Sequence, residues 1–253
     1  MTDSRSAAAL RALHRPGDPL ILPNAWDAGS ARAVAAAGFP AVATSSAAVA
    51  ESLGHADGEA TPVDEMLAAV ARVVRSVPVP ITADLERGYG LRPVELVDRL
   101  LATGAAGLNL EDSDPRTGQL CDVAEQAELL AAVRAAAGPD LVVNARVDVF
   151  LHATADHAAG FDEAVRRARR YLAAGADCVY PIVLADPELI GRFVAAVGGP
   201  VNVLLRAGTP GVAELARLGV ARVSLGSGVY AAARQRAAAM LTALAAGGDP
   251  FAG

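Results

Sequence analysis

Residues able to perform metal, acid or anion chemistry stand at the ends of several apolar stretches of the sequence. They are Ser45, Ser46, Asp84, Glu86, Glu111, Asp112, Asn144, Arg146 and Asp148. Carboxylates that are crowded together and partly shielded from water repel one another, and a bound cation relieves this repulsion. Oxygen ligands favour Mg²⁺ or Mn²⁺. The pattern therefore predicts a site for Mg²⁺, with Mn²⁺ as the alternative ion.

Arg146 and two serines add groups that can hold a small acid beside such an ion. The planar guanidinium of Arg146 offers a fork to a carboxylate, while Ser45 and Ser46 offer hydroxyl or backbone N–H donors. We therefore expect a pocket for a small α-oxo or 2-hydroxy carboxylic acid. Structural roles are the alternative, since acidic residues and serines at these places also cap helices or pair with arginine. Asp112 and Asp148 are interpreted in this structural way, supporting a turn or pairing with Arg146.

Strands and helices that would position these residues alternate along the chain at roughly the spacing of a βα unit, about thirty residues. Eight strands are predicted, over residues 20–26, 41–46, 80–86, 107–112, 141–148, 178–183, 201–205 and 222–226. Eight helical patterns lie at 31–37, 63–76, 93–103, 124–137, 161–174, 187–197, 212–218 and 229–246. The alternation predicts an α/β fold, a single (β/α)₈ barrel over residues 1–253, with its active site at the carboxyl ends of the strands. An open doubly wound sheet is the alternative, but no GxGxxG motif stands in a βα turn.

The composition limits the class of protein. A chain of 253 residues with 53% hydrophobic residues can bury one large core. The net charge of -6 gives no electrostatic reason to expect nucleic acid or an anionic membrane as a partner. Two cysteines without CxxC spacing predict neither a disulfide framework nor a zinc site. With no signal-peptide pattern and no run of about 18 apolar residues, we expect a cytoplasmic protein.

Five motifs occur in order at or near the predicted strand ends. They are Pro-Asn-Ala-Trp-Asp at 23–27, Leu-Gly-His-Ala-Asp at 53–57, Ala-Asp-Leu-Glu-Arg-Gly-Tyr-Gly at 83–90, Leu-Glu-Asp at 110–112 and Asn-Ala-Arg-Val-Asp at 144–148. With these motifs the chain resembles the isocitrate lyase/phosphoenolpyruvate mutase superfamily, from about residue 20 to the last predicted helix. The resemblance implies a Mg²⁺-dependent enzyme that stabilises an enolate-like oxyanion on the metal while a neighbouring bond breaks.

The resemblance also implies a role for individual residues. The expected metal ligands are Asp84, which would bind directly, and Asp57, Glu86 and Glu111, which would bind through water. The expected substrate-binding residues are Ser45, Ser46, Ala47, Asp84, Arg146 and Asn202. The expected catalytic residues are Arg146, Glu111 and Asp57.

Two departures from the family pattern bear on the reaction. Glu86 stands where many members carry Asp, so a longer side chain would reach the metal waters. The segment 113–121 lacks the Lys-Lys-Cys-Gly-His signature of the family's lyases, and Cys121 lies too late to replace its cysteine. It resembles in part the Pro-Lys-Thr-Asn segment of the mutase and phosphonopyruvate hydrolase branch, with Arg116 for Lys and Gly118 for Asn.

These features leave three functions open. The first is a lyase or decarboxylase that cleaves a carbon–carbon bond beside an oxo or hydroxyl group in a small di- or tricarboxylate. The alternatives are a phosphorus–carbon bond mutase or phosphonopyruvate hydrolase and a non-catalytic barrel that binds oxo acids. The Ala-rich last helix predicts a homodimer or homotetramer, because similar proteins exchange such a helix between subunits.

Overall fold

Nine short parallel strands form the centre of the protein in a computed structural model, which describes residues 4–153 and 157–251. They are β1 (Leu20–Leu22), β2 (Asn24–Ala25), β3 (Val42–Thr44), β4 (Ile81–Asp84), β5 (Gly107–Leu110), β6 (Val142–Val147), β7 (Cys178–Pro181), β8 (Asn202–Leu204) and β9 (Arg222–Ser224). Strands β2 to β7 form one sheet in chain order, and β1, β9 and β8 form another. A bridge between Val179 and Val201 joins the two sheets. Because β1 leads directly into β2, the strands close into a ring, and the predicted barrel is confirmed.

Pro23 interrupts the first strand, which the sequence predicts to be continuous. Proline has no N–H to donate to a neighbouring strand, so the strand is divided into β1 and β2. The two halves pair on opposite sides: Leu20 with Arg222 in β9, and Asn24 with Ala43 in β3. The division at Pro23 is therefore the place where the ring closes.

Helices connect successive strands and surround the barrel. They are α1 (Ser4–Ala12), α2 (Ala28–Ala36), α3 (Ser46–Leu53), α4 (Val63–Val74), α5 (Pro93–Thr103), α6 (Val123–Ala137), α7 (Val149–His152), α8 (Phe161–Ala173), α9 (Pro187–Val197), α10 (Val212–Arg217) and α11 (Gly228–Ala245). Eight of them correspond to the predicted helical patterns, while α1, α3 and α7 are additional. Helix α5 ends at Gly104, whose φ of 86° is a conformation that glycine adopts without strain.

The additional helix α1 covers the amino-terminal end of the barrel. Its Leu10 is fully buried in a cluster with Leu20 and Val142, at the starts of strands. Arg11 anchors the helix, because its Nε donates to Asp177 Oδ1 at 2.7 Å and its Nη2 donates to the carbonyl oxygen of Leu141 at 2.7 Å. Side chains thus fill this end of the barrel.

Helix α11 differs from the other long helices in its packing. The main hydrophobic cluster fills the space between the barrel and helices such as α4, α5, α6, α8 and α9. By contrast, none of the residues of α11 is buried, and Leu241 and Leu244 expose 66% and 59% of their surfaces. Within the described ranges, no helix combines the length and the apolar character needed to cross a membrane.

Candidate active site

A cavity of about 430 Å³ opens at the carboxyl ends of the barrel strands, where this fold places its active sites. The residues expected to bind metal or substrate that lie in its wall are Ser45, Ser46, Ala47, Asp57, Asp84 and Arg146. Glu86, Glu111 and Asn202 lie outside the wall. Most of the predicted residues therefore lie in the wall of one cavity, and three of them do not.

Asp84, at the end of β4, is held by the first turn of α3. Ser46 donates two hydrogen bonds to Oδ2 of Asp84, from its N at 3.1 Å and from its Oγ at 3.0 Å. The amide nitrogen of Asp84 donates to Oγ1 of Thr44 at 2.9 Å. Oδ1 of Asp84 accepts no hydrogen bond from a described residue, so this oxygen is available to a metal ion.

Ser45 is the N-cap of α3, as its structural interpretation predicts. Its Oγ accepts a hydrogen bond from the amide of Ala48 at 3.5 Å and lies 2.9 Å from Oγ of Ser227, which precedes α11. The N–H of Ala47 has no hydrogen-bond partner among the described residues, as is usual in the first turn of a helix. This N–H is therefore a free donor in the cavity wall.

The carboxylates around Asp84 are difficult to ionise in this arrangement. Burial raises the pKa of Glu86 to about 7 and the pKa of Glu111 to about 9. Desolvation also raises the pKa of Asp57, and repulsion from Asp84 adds to this effect. Burial is the main cause of these shifts, and Arg146 offsets it only in part at Glu111 and Asp57, so a divalent cation would favour the ionised carboxylates.

Glu86 lies outside the cavity wall, and both of its carboxylate oxygens are held by neighbouring residues. Its backbone has a φ of 49°, in the left-handed region that residues with a Cβ seldom adopt. The amide of Glu59 donates to Oε2 of Glu86 at 2.6 Å, and the hydroxyl of Tyr89 donates to Oε1 at 2.7 Å. Because both carboxylate oxygens are engaged, Glu86 suits an indirect role at a metal site rather than direct ligation.

Arg146 is held between two acidic residues. Its Nε and Nη2 donate to the fully buried carboxylate of Asp148 at 2.6 and 3.0 Å, and Nη2 lies 2.6 Å from Oε2 of Glu111. Burial alone would lower the pKa of Arg146, but the two carboxylates outweigh burial and raise it. The expectation of an open fork for the substrate requires correction, because Asp148 occupies the Nε–Nη2 edge. Nη1 makes no hydrogen bond to a described residue, so its N–H groups remain available to a ligand.

Asp148 and Asp112 have structural roles, as the sequence predicts. Asp148 pairs with Arg146, and its amide donates to Oδ1 of Asp112 at 2.8 Å. The arginine partner of Asp112 is Arg167, at 3.0 Å, and the hydroxyl of Tyr171 donates to the same carboxylate oxygen at 2.7 Å. This chain of bonds fixes Arg146 to the barrel and the helices behind it.

Asn202 does not reach the cavity. As the first residue of β8, it lies opposite Arg222 in register and is fully buried. Its Nδ2 donates to Oγ of Ser224 at 3.2 Å, and Ser224 is part of the cavity wall. The predicted contact with substrate is therefore corrected to a supporting position, because the register places Asn202 opposite Arg222, two residues before Ser224 in β9.

The structure adds cavity residues to which the sequence analysis assigns no individual role. They are Asn24, Asn109, Tyr180, Arg206, Ser224 and Ser227. Most of them stand inside apolar stretches, where no local signal marks them. Asn109 is an exception, because it precedes Glu111 by two residues and so shares its side of the strand. The alternation of side chains along a strand would have identified it.

The loop after β5 lies outside the cavity. Ser113 and Leu120 form an antiparallel bridge, and no residue of 113–121 belongs to the wall. The side chain of Arg116 is 86% exposed and pairs with Asp114. Cys121 is buried, and desolvation raises the pKa of its thiol. In this arrangement the loop supplies no acid or base to the site.

The residues present fit a divalent cation that is held mainly through water. Within residues 4–153 and 157–251, no three His, Cys, Asp or Glu side chains converge closely enough to hold an ion together. Asp84 nevertheless has a free carboxylate oxygen, and Asp57 shares the cavity wall with it. Such a sparse set of oxygen donors suits Mg²⁺, which retains several water ligands in proteins.

Comparison with known families agrees with this geometry. The family profile described as phosphoenolpyruvate phosphomutase matches residues 10–245. The chain belongs to this family. Its predicted membership of the isocitrate lyase/phosphoenolpyruvate mutase superfamily is thereby confirmed.

The sequence relatives of this chain include a lyase. An uncharacterized protein of Mycobacterium tuberculosis is 38% identical over 227 residues, which cover 87% of this chain and 84% of that protein. The 2-methylisocitrate lyase of Escherichia coli is 28% identical over 205 residues, which cover 76% of this chain and 67% of the lyase.

Solved structures of the family share the barrel. A suspected phosphonomutase from Burkholderia cenocepacia J2315 is 47% identical with a TM-score of 0.90, over 94% of this chain and 99% of that chain. A phosphonopyruvate hydrolase, solved as a complex with oxalate and Mg²⁺, is 26% identical with a TM-score of 0.82, over 96% of this chain and 88% of that chain. The superfamily therefore contains lyases as well as enzymes of phosphorus–carbon chemistry.

Proposed function

We propose that this protein is a Mg²⁺-dependent enzyme that cleaves a carbon–carbon bond in a small α-oxo or 2-hydroxy carboxylic acid, as a lyase or decarboxylase. The observation that supports this best is the wall of one cavity, which combines the free carboxylate oxygen of Asp84 with free donors on Ala47 and Arg146. A carboxylate that can bind a cation, next to N–H donors, suits an α-oxo or 2-hydroxy acid. Two neighbouring oxygens of such an acid can bind the cation while the N–H groups donate to the acid. The similarity to 2-methylisocitrate lyase supports the choice of bond.

The chain's own residues would bind and orient the acid. The N–H of Ala47 and the hydroxyl of Ser45 would donate to its carboxylate, and Nη1 of Arg146 would donate to an oxygen near the reacting carbon. A bound Mg²⁺ would supply Lewis-acid stabilisation of the negative charge that develops as the bond breaks. Asp57 lies in the same cavity wall as Asp84, so we assign it the role of holding a proton beside the reacting atoms. Glu111 acts through Arg146, so we assign it a positioning role.

A phosphorus–carbon mutase or hydrolase is the second candidate. It is favoured by the high identity to the suspected phosphonomutase and by the Arg116–Thr117 pair in the loop after β5. The non-catalytic alternative is favoured by the position of that loop, which contributes no acid or base to the cavity. All three functions require binding of a small oxo acid, and they differ in whether the bound acid reacts and in which bond breaks.

A panel of oxo acids tests the proposal. We expect oxalate, pyruvate or a related acid to raise the Tm when Mg²⁺ is present and to leave it unchanged in EDTA. A ligand at a hundred times its Kd stabilises the native state by about 2.7 kcal/mol, which a thermal-shift assay resolves. The stabilising acids and phosphonopyruvate are then assayed for turnover. Absence of any Mg²⁺-dependent stabilisation would contradict the proposal, and stabilisation without turnover would favour the binding barrel.

We also propose that a second copy of this chain covers α11, giving a homodimer or homotetramer. The helix has 18 residues and no buried residue, whereas helices in proteins owe most of their stability to packing. Near its start, Tyr230 contacts Trp26 with ring centroids 5.1 Å apart. Farther along, Leu241 and Leu244 are one helical turn apart and exposed, so they offer an apolar face to a partner.

Sedimentation of a charged variant tests the assembly. We expect the wild-type protein to sediment as a dimer or tetramer, and L241E/L244E to lose this assembly because two carboxylates would enter an apolar interface. The control is Arg236→Glu, which adds an acidic side chain to α11 without altering its leucines. A monomeric wild-type mass at micromolar concentration would remove the proposal.

A further inference from the structure

A fully buried arginine lies beneath the cavity without a carboxylate partner. Arg222, the first residue of β9, is 0% exposed, and no Asp or Glu in the described part of the chain forms an ion pair with it. Its Nη2 donates to Oδ1 of Asn109 at 3.2 Å, while its Nε and Nη1 make no hydrogen bond to a described residue. Arginine stays charged at neutral pH, and burying an unpaired charge is unfavourable. The barrel thus holds a buried cation that forms no ion pair with a described carboxylate, although the charge of Asp84 acts on it from a distance.

Asn109 connects this buried charge to the cavity. It belongs to the cavity wall, and its Oδ1 accepts hydrogen bonds from both Arg222 Nη2 and Asn144 Nδ2, the latter at 2.8 Å. A guanidinium cannot accept a hydrogen bond, so reversing the carboxamide of Asn109 would place two donors against each other. The orientation of this amide is therefore fixed. Its Nδ2 donates to no described residue and belongs to the side of the amide that is turned away from Arg222.

We infer that Asn109 is a further ligand-binding residue, whose Nδ2 donates to an anionic oxygen of the bound acid, and that Arg222 is its positioning residue. The inference rests on the proposed function, because it requires an anion in the same cavity. A cation bonded to the oxygen of an amide draws electron density from the nitrogen, which makes the N–H a stronger donor. The bound anion in turn brings further negative charge toward Arg222, which has no ion-pair partner of its own among the described residues.

Two substitutions of Asn109 separate binding from folding. Asn109→Leu removes the donor, and we expect the affinity for oxalate with Mg²⁺, measured by titration calorimetry, to fall about ten- to hundredfold. Asn109→Asp keeps an oxygen for Arg222 and Asn144 but replaces the donor with an anionic oxygen. We expect this variant to keep or raise the Tm and to bind oxalate more weakly than the wild type.

A double-mutant cycle tests whether Arg222 acts through Asn109. Arg222→Met removes the charge with a similar apolar stem, and we expect the affinity for oxalate to fall about tenfold in the wild-type background. In the Asn109→Leu background the same change should have no further effect on affinity, since the donor that Arg222 positions is already absent. A merely structural Arg222 would alter the Tm and leave oxalate affinity unchanged in both backgrounds.

Cys178→Ala is the control, because Cys178 is fully buried beside β8 and β6 and does not line the cavity. It should bind oxalate like the wild type. Unchanged affinity in both Asn109 variants would overturn the inference while the proposed function stands, and equal losses from Arg222→Met in both backgrounds would overturn the positioning role. Failure of the wild-type protein to bind oxalate with Mg²⁺ would overturn both the proposed function and this inference.

Discussion

Replacing Asp84 with alanine is expected to abolish Mg²⁺-dependent binding of oxalate and pyruvate while the protein stays folded. Asp84 alone in the cavity wall combines a position at a strand end with a free carboxylate oxygen, and a methyl group cannot ligate a cation. The two hydrogen bonds from Ser46 are lost as well, which costs stability by about 1 to 3 kcal/mol. Calorimetric titration with oxalate at saturating Mg²⁺ measures the effect.

Two comparisons sharpen this result. Asp57→Ala should weaken binding without abolishing it, because Asp57 is expected to contact the ion through water. Asp122→Ala removes the N-cap of α6, away from the cavity, so it should lower stability by about 1 kcal/mol and leave oxalate binding intact. Undiminished Mg²⁺-dependent binding by Asp84→Ala would show that the metal assignment is wrong.

Replacing Arg146 with lysine is expected to weaken oxo-acid binding although the charge is retained. The guanidinium of Arg146 contacts Asp148 and Glu111 together and still leaves Nη1 for a ligand. The lysine side chain is shorter and ends in one ammonium group, which cannot contact both carboxylates and the ligand in the same geometry. Loss of one charge-assisted hydrogen bond to a desolvated anion costs roughly 1.5 to 3 kcal/mol, or about ten- to a hundredfold in affinity. Oxalate affinity and Tm should be measured on the same preparation.

Arg134→Lys is the matched control for Arg146→Lys. Arg134 is also an arginine paired with an aspartate, Asp177, but it does not line the cavity and is not bonded to Arg146 or its partners. Its replacement should lower the Tm and leave oxalate affinity unchanged. If Arg146→Lys behaves in the same way, Arg146 is purely structural, and β6 does not present a ligand-binding residue to the cavity.

The sequence predicts those residues of the site whose place depends only on their position directly after an apolar stretch. Parallel strands in a barrel end at the same mouth, so Asp84 and Arg146 could be placed together from their positions after apolar stretches. The resemblance also implied that Asn202 binds the substrate, whereas in the structure Asn202 is fully buried and does not belong to the cavity wall. Asn202 stands at the start of its strand, and the depth of a residue in the barrel depends on register, which an apolar stretch does not reveal.

Contacts across the barrel could not be predicted from the sequence. Asn109 and Arg222 are 113 residues apart and belong to strands that do not pair with each other. Arg222 is the first residue of β9, and a charged residue at the start of an apolar strand would be expected to point to solvent. Its burial follows from the closure of the ring, which depends on β1, β9 and β8 pairing together. Only the assembled barrel shows that an arginine lies under the cavity.

The packing of α1 across the amino-terminal end of the barrel has a kinetic consequence. With Leu10 filling that end, the route into the cavity runs past the carboxyl ends of the strands, and a product must leave by the path on which the next substrate arrives. Product and substrate then compete for one passage. A reaction that splits an acid into two fragments would release first the fragment nearer the solvent, and would release last the fragment anchored by Asp84 and Ala47.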